Sequence, residues 1–178
     1  MRICALDLSL TGTGVARNFP DGEFFLGTLT TKLEGWYRFE WMIQNVTRHA
    51  KDAELVVIEG LSFGHNLPSA QERSGVWYNV AFWLWQAKIQ TLVVPPSTLK
   101  KFVTGKGSSE KSVMLRETFR HWNVIAANDN EADAAGLLHV GLAYCGAEEC
   151  SNQAQRDVLA TLRKSHGAPQ VKVEAAAW

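Results

Sequence analysis

The sequence contains no apolar run of the roughly 18–20 residues that a membrane-spanning helix needs. Its first residues also lack the charged and then apolar pattern of a signal peptide. Cysteine is scarce: Cys4, Cys145 and Cys150 form no CxxC pair, and their odd number argues against a disulfide framework. The five histidines are scattered without metal-ligand spacing, which argues against a zinc site. We therefore expect a cytoplasmic protein whose cysteines are reduced core residues.

Net charge is also absent, because 18 basic residues balance 18 acidic ones. Their distribution, however, is uneven. Residues 97–121 carry a local charge of +4, from Lys100, Lys101, Lys106, Lys111, Arg116 and Arg120 against Glu110 and Glu117. A basic segment in an otherwise acidic protein is typical of a phosphate-binding surface, but a solvated helix face has the same composition.

The length of 178 residues fits one domain, without repeats or a low-complexity linker. Turns at "TGTG" and "PDG" separate three predicted strands, over 2–8, 15–18 and 23–31. Helices and strands then alternate, with helices over 36–50, 69–89, 110–120, 131–144 and 151–167 and strands over 53–60 and 91–96. Ser151 is a candidate N-cap for the last helix. This order predicts a mixed sheet flanked by helices.

Acidic residues occur where the surrounding pattern predicts burial. Asp7 lies in the apolar strand "ICALDL", and Glu59 ends the apolar strand "LVVIE". In "NDNEADAAGLL", Asp129 and Asp133 share one helical face and Glu131 points the other way. A buried carboxylate destabilises the fold by several kcal/mol unless it is paired or binds a cation. If the two strands are neighbours and the helix crosses their ends, these carboxylates meet, and such hard oxygen ligands suit Mg²⁺ or Mn²⁺.

Each acidic residue also has a simpler explanation. Asp7 could accept hydrogen bonds from the amides of the following turn, and Glu59 could pair with a buried arginine. The acidic helix start could be an N-cap that complements the helix dipole. The occurrence of all three at strand ends and a helix start favours the metal site.

The order of these segments resembles the RNase H-like nucleases, specifically the RuvC-type Holliday-junction resolvases. "ALDLSLTGTGVA" is similar to the family's first strand and turn, and "VVIEG" to its glutamate strand. "GKGSSEKSVM" is similar to its glycine-serine-lysine segment, and "NEADAAGLLHVGLA" to its last acidic helix. The resemblance implies an α/β fold over residues 1–150, in which a mixed five-stranded sheet of three antiparallel and then parallel strands is flanked by helices. A C-terminal helix and tail follow over 151–178.

The resemblance also implies a metal site. Three carboxylates match the family's ligands: Asp7, Glu59 and Asp133. A fourth ligand lies about one turn before the last, and three residues are candidates for it: Asp129, Asn130 and Glu131. Asp129 is preferred, because it is the aspartate on the face of Asp133. In an alternative register Asp133 takes that earlier place and Gly136 the last one, so that a ligand is missing.

Further residues resemble the family's DNA contacts. Lys111 and Lys100 are similar to the two lysines of the catalytic region, and Phe63 to an aromatic that stacks on bases at the crossover. Lys101, Lys106 and Ser108 are the remaining candidate contacts.

The resemblance therefore implies a structure-selective endonuclease of recombination and repair, which resolves four-way junctions by Mg²⁺-dependent hydrolysis, with Mn²⁺ as a substitute. Since two symmetry-related strands must be cut, we expect a homodimer. The aromatic helix over 69–89 is the candidate interface, unless it is buried within the monomer. The compact length resembles phage-encoded members, which would act in the host cytoplasm.

Other functions stay open from the sequence. "DLSLTGTG" also suits the first phosphate loop of actin-like sugar kinases and ATPases, but those need two such domains and a second phosphate motif. "GKGSS" is not a P-loop, because glycine rather than Ser or Thr follows Lys106. A non-catalytic protein that binds branched DNA remains an alternative, as does an RNase H-like nuclease acting on flap or RNA/DNA substrates.

Overall fold

The computed structural model of the protein describes residues 1–61 and 69–169. These ranges contain five strands: β1 (Ile3–Asp7), β2 (Thr13–Asn18), β3 (Phe24–Leu29), β4 (Leu55–Glu59) and β5 (Gln90–Val94). They also contain six helices: α1 (Gly35–Ala50), α2 (Ala70–Gln86), α3 (Pro96–Thr104), α4 (Lys111–Trp122), α5 (Asp129–Tyr144) and α6 (Gln153–His166).

The strands form one mixed sheet in the order β3-β2-β1-β4-β5. β2 pairs antiparallel with β1 and β3, whereas β4 pairs parallel with β1 and β5. Short turns join the antiparallel strands, and helices carry the chain back for each parallel one, as the geometry of the two pairings requires. The five-stranded mixed sheet flanked by helices that the sequence predicted is confirmed.

Helices cover both faces of the sheet. Alternate residues of β1 point to opposite sides, so that Ile3 and Ala5 join the core beneath α3, α5 and α6. Cys4 and Leu6 join the core beneath α1 and α2. Because β1 is apolar on both faces and central in the sheet, a charged residue within it stands in a dry environment unless it lies at the strand's end.

Helix α5 lies directly on the sheet because glycines at the contact let the two backbones approach closely. At Gly14 of β2, a Cβ atom would overlap the carbonyl oxygen of Asn130. At Gly141 of α5, a Cβ atom would lie 2.7 Å from the side chain of Val57. Gly14 is also the partner of Asp7 in the β1–β2 ladder. The start of α5 is therefore held over the end of β1.

The structure corrects two details of the sequence-based prediction. The segment predicted as a strand over 91–96 turns at its end into α3, a helix that was not predicted. Pro96 starts this helix, where a missing N–H costs no hydrogen bond. The N-cap of α6 is Asn152 and not Ser151, because the Asn152 side chain accepts the backbone N–H of Gln155. The Ser151 hydroxyl instead donates to the Gln155 side chain.

Within residues 1–61 and 69–169, no helix combines the length and the apolar composition needed to cross a membrane. Cys4, Cys145 and Cys150 are all free, and the first two are buried. Burial raises the pKa of the Cys4 thiol to about 12 and that of Cys145 to about 11, which keeps both protonated and unreactive at neutral pH.

Candidate active site

Two parallel strands bring a pair of carboxylates to one edge of the sheet. Asp7 is the last residue of β1 and Glu59 the last residue of β4. The two strands are neighbours with Leu6 paired to Ile58, so the acidic residues end them side by side. Asp133, one turn into α5, is close enough for its charge to raise the pKa of both. Three elements that are distant in sequence thus meet at one carboxylate cluster.

Burial and mutual repulsion control the protonation of this cluster. Asp7 is only 8% exposed, and burial, followed by the charges of Glu59 and Asp133, raises its pKa well above the usual range. Burial and the charge of Asp133 raise the pKa of Glu59 to about 7. Burial and the charge of Asp129 raise the pKa of Asp133 to about 6. The cluster therefore resists full ionisation at neutral pH.

The chemistry of these donors fits a hard divalent cation. The cluster offers carboxylate oxygens without histidine or thiolate, which is the ligand set that Mg²⁺ and Mn²⁺ prefer. A cation would also relieve the repulsion that raises the pKa values. The side chains are not arranged around a metal position, however. Across 1–61 and 69–169 no group of three acidic, histidine or cysteine residues has metal-binding geometry, and Asp7 lies within hydrogen-bonding reach of Glu59.

Asp129 lies at the rim of the cluster, where it forms an ion pair and a hydrogen bond with Lys111. The hydrogen bond from Lys111 holds the pKa of Asp129 below its usual range, and the same contact raises the pKa of Lys111. The Asp129 side chain is 31% exposed and that of Lys111 80% exposed. The charge of Asp129 still contributes to the raised pKa values of Asp133 and Asp7. Asp129 is therefore shared between the cluster and a lysine at the start of α4.

The other two candidates for a fourth ligand face elsewhere. Asn130 packs against the turn between β1 and β2, where a Cβ atom on Gly12 would lie 3.0 Å from its Nδ2. The Glu131 carboxylate accepts a hydrogen bond of 3.0 Å from Thr28 Oγ1 and one of 2.8 Å from the backbone N–H of Ala127. Glu131 thus fixes the start of α5 to β3 and to the preceding loop.

Sequence reasoning missed the residues that hold these elements in place. Thr28 of β3 binds both Glu131 and the N-cap residue Asn128, whose side chain accepts the Glu131 N–H at 3.0 Å. The Asn-x-x-Glu spacing of a capping box was the available signal for this cap. Trp77 of α2 donates its indole N–H to the backbone carbonyl of Glu59 at 2.8 Å. No local pattern could have indicated that contact, because it joins elements 18 residues apart.

The candidate DNA contacts fall into separate places. Lys100 lies near the cluster, where its charge lowers the pKa of both Glu59 and Asp133. Lys101 points away and pairs with Asp157 of α6, with 3.6 Å between Nζ and Oδ2. Phe63 lies outside the described residues.

The loop between α3 and α4 presents two further candidates, Lys106 and Ser108, which are both exposed. Thr104 organises this loop, because its hydroxyl contacts Ser109 Oγ at 2.6 Å and the carbonyl oxygen of Lys106 at 3.0 Å. Gly105 has a φ of 81°, in the left-handed region that glycine adopts readily. The loop is thus ordered by its own hydrogen bonds and ends at Lys111, beside the carboxylate cluster.

No family model matches the chain, and no curated protein matches it in sequence. Among solved structures, that of Thermus thermophilus RuvC superposes with a TM-score of 0.63 at 17% identity, over 82% of this chain and 97% of that one. T. thermophilus RuvC in complex with a Holliday junction substrate gives 0.61 at 17% identity, over 77% and 90%. The yeast mitochondrial Holliday junction resolvase gives 0.51 at 10% identity, over 92% and 81%.

At these identities the likeness concerns the fold. In this chain the antiparallel and then parallel order of strands places Asp7 and Glu59 side by side. The resemblance expected from the sequence is confirmed at this level: the chain has the RNase H-like fold of the RuvC-type resolvases.

Proposed function

We propose that the protein is a structure-selective DNA endonuclease that resolves four-way junctions by paired, metal-dependent hydrolysis of phosphodiester bonds. One observation carries the proposal. Three carboxylates, Asp7, Glu59 and Asp133, are gathered from β1, β4 and α5 into a cluster in which burial, together with repulsion between carboxylates, raises their pKa values. Such a cluster destabilises the fold without a cation, so a functional reason for keeping it is required. The fold is also that of a protein solved with a Holliday junction substrate.

The residues have distinct roles in this proposal. Asp7, Glu59 and Asp133, with Asp129 at the rim, hold Mg²⁺, for which Mn²⁺ substitutes. A metal held by these residues would supply the activation of a water and the stabilisation of the leaving oxygen. Lys111 is held by Asp129 at the rim, where its ammonium group offsets charge on the scissile phosphate.

The neighbouring basic residues bind the DNA backbone. Lys100 lies beside the carboxylates and keeps a second positive charge near the scissile strand. Lys106 and Ser108 are exposed on the loop before α4, where they reach flanking phosphates. Lys101, which pairs with Asp157, contributes only long-range attraction. We infer that the protein acts on DNA in the cytoplasm.

We further propose that the active assembly is a C₂ homodimer, because one site per chain cuts one strand. Helix α2 offers the contact surface. Val76, Val80 and Leu84 are buried within the monomer, whereas Tyr78, Phe82 and Trp85 are 58%, 56% and 73% exposed. Their spacing puts the three aromatics on one outward face. Exposed aromatic rows of this kind are typical of interface cores.

A non-catalytic protein that binds branched DNA remains the second candidate. Its support is the ion pair between Lys111 and Asp129, which occupies the preferred fourth ligand. The lack of metal-binding geometry among residues 1–61 and 69–169 agrees with it. A bound cation would have to compete with Lys111 for Asp129.

A substrate panel tests the proposal. The protein is incubated with a four-way junction, a flap, a linear duplex and an RNA/DNA hybrid, each with Mg²⁺ and with a chelator. We expect cleavage of the junction only with Mg²⁺, as two nicks at symmetry-related positions. Preferred cleavage of the flap or the hybrid would indicate another RNase H-like nuclease. Tight junction binding without any cleavage would indicate the non-catalytic protein.

A further inference from the structure

A cavity of about 600 Å³ lies beside α4. It is bounded by the loop after α3, by α4 and by the start of α6, and its lining includes Lys106, Arg116, Arg120 and His121. Arg120 is nine residues after Lys111, which is half a turn out of phase on a helix, so the two side chains leave α4 in opposite directions. The cavity is therefore separate from the proposed catalytic site.

A buried carboxylate organises the basic side of this cavity. Glu117 is 7% exposed, and its carboxylate accepts a hydrogen bond of 3.0 Å from the Nε of Arg116. The Nε of Arg120 lies 3.3 Å from its other oxygen, and the Nε2 of His121 lies 3.8 Å away. Two guanidinium groups are thus held side by side through their Nε atoms. Their terminal nitrogens have no hydrogen-bond partner within residues 1–61 and 69–169.

The start of α6 forms the opposite wall of the cavity and adds positive potential, without an acidic side chain that would repel an anion. Helix α6 starts there with Asn152 and Ala154 at the cavity, and its first turn has no acidic residue. The unpaired N–H groups at such a helix start favour an anion. With Lys106, Arg116 and Arg120 against Glu117, the lining carries a net charge of +2. Paired, exposed guanidinium groups of this kind match the geometry of a phosphate.

We propose that this cavity binds a backbone phosphate of a DNA arm that continues past the cleavage site. The inference rests on the proposed function, because it extends the path of the same substrate. Nine residues of helix advance by about 14 Å, and the opposite sides of a helix lie about 10 Å apart, so the two places are about 17 Å apart, or about five base pairs of B-DNA at 3.4 Å each. Lys106 lines the cavity and belongs to the loop that ends at Lys111 beside the carboxylates, so this loop would follow the DNA from the carboxylates to the cavity. Arg116 and Arg120 are then positioning residues for the DNA arm.

Removal of the two guanidinium groups tests the inference. The variant R116Q/R120Q and the full wild-type chain are titrated with a four-way junction in chelator, at several salt concentrations. We expect about tenfold weaker binding near 0.1 M salt and a salt slope reduced by about one unit, as for one lost phosphate contact. The control R48Q/K51Q removes the same charge from the end of α1, on the other face of the sheet, and should change the affinity less than twofold.

The single variant R120Q covers the case in which the double variant fails to fold, because Arg116 still pairs with Glu117. It should bind the junction several-fold more weakly than wild type. A folded R120Q with wild-type affinity and salt slope would overturn the inference, as would a double variant that behaves like the control. These outcomes leave the proposed function intact if wild type still binds and cleaves the junction. Failure of wild type to bind any DNA would instead overturn the proposed function itself.

A small phosphate compound is the alternative ligand that the same guanidinium groups could bind in the cavity. Inorganic phosphate and a mononucleotide are therefore added separately at millimolar concentration, and the Tm of wild type and of R120Q is measured. We expect little change for either protein, because one isolated phosphate lacks the contacts of a DNA arm. A rise in Tm for wild type alone, with unchanged DNA binding by R120Q, would assign the cavity to a small ligand and overturn the proposal.

Discussion

Asp7 and Glu59 end adjacent parallel strands, and the charges of Glu59 and Asp133 add to burial in raising the pKa of Asp7. In the unfolded chain such groups ionise near pH 4. In the folded chain Glu59 keeps its proton up to about pH 7 and Asp133 up to about pH 6. The stability that these raised pKa values provide is complete at about pH 4 and is lost as the pH rises through about 7.

The variant Asp7→Asn should therefore stabilise the metal-free protein at pH 8. It removes one ionisable group from the buried cluster and keeps the shape of the side chain, and about 1 kcal/mol shifts the Tm of a chain of this size by roughly 2–4 °C. The gain should shrink at pH 5, where wild type already keeps the protons. Thermal melts in chelator at both pH values measure the difference. Asp21→Asn, in the exposed turn before β3, is the control and should change neither Tm. A lower Tm for Asp7→Asn at pH 8 would contradict the proposed repulsion.

Magnesium should stabilise the cluster at a pH at which its carboxylates lose their protons. At pH 8 we expect added Mg²⁺ to raise the Tm of wild type, because a cation bound only by the folded state stabilises it. The increase should be much smaller for Asp7→Asn, which lacks one ligand charge. The same melts with a Mg²⁺ titration give the result. Equal shifts for both chains would place metal binding outside the cluster.

The two lysines differ in their surroundings and should differ in effect. Lys111→Ala should reduce cleavage far more than junction binding, because its ammonium group lies at the rim of the cluster on Asp129. Lys101→Ala should leave the cleavage rate of bound junction unchanged and reduce the salt slope of binding by about one unit at most. Single-turnover cleavage and binding titrations separate the two quantities. Identical small effects would favour a solvated helix face.

Gly14 should be essential for the position of α5. Gly14→Ala places a methyl group against the carbonyl oxygen of Asn130, which cannot move without displacing the helix that carries Asp133. We expect a loss of about 1–3 kcal/mol in stability, together with a loss of cleavage. Gly27→Ala is the control. Its added Cβ would meet only the far end of the Phe25 ring at 3.2 Å, and that ring can shift. Denaturant melts of both variants decide the comparison.

The sheet and the cluster could be read from sequence because their signals are local. Asp7 and Glu59 interrupt or end apolar strands, and an acidic helix start is visible without any knowledge of packing. The mixed sheet followed from short turns in the first third and helices between the later strands. The ion pair of Asp129 with Lys111 could not be predicted in this way, since it joins residues that are 18 positions apart in two helices.

Long-range contacts account for the other omissions. Thr28 is an ordinary strand residue until the fold brings it to Glu131, 103 positions away. Arg116 and Arg120 look like a solvated face of α4, and only the approach of α6 turns them into one wall of a cavity. The outward face of α2 also depended on the sheet, because its helix is apolar on several sides and only packing selects Val76, Val80 and Leu84 for the core.

The dimer prediction concerns the exposed aromatics of α2. Replacement of Phe82 and Trp85 by glutamate should convert the dimer to a monomer in sedimentation at micromolar concentration, because both side chains are more than half exposed in the single chain. Ile125→Glu, which changes another residue that is 82% exposed, should leave the dimer intact. A mixture of wild type and Asp7→Asn should nick one strand and leave the junction unresolved. Sedimentation of wild type as a monomer, free and on DNA, would overturn the homodimer.

Cleavage of a strand-labelled junction by wild type and Asp7→Asn tests the central proposal most directly. The two chains are compared with Mg²⁺ at equal occupancy of a four-way junction, with each strand labelled in turn. Wild type should cut two opposite strands at symmetry-related positions, and Asp7→Asn should bind with nearly the same affinity and cut neither. Undiminished cleavage by Asp7→Asn, or junction binding by wild type without any Mg²⁺-dependent cut, would contradict the assignment of the buried carboxylates as the active site.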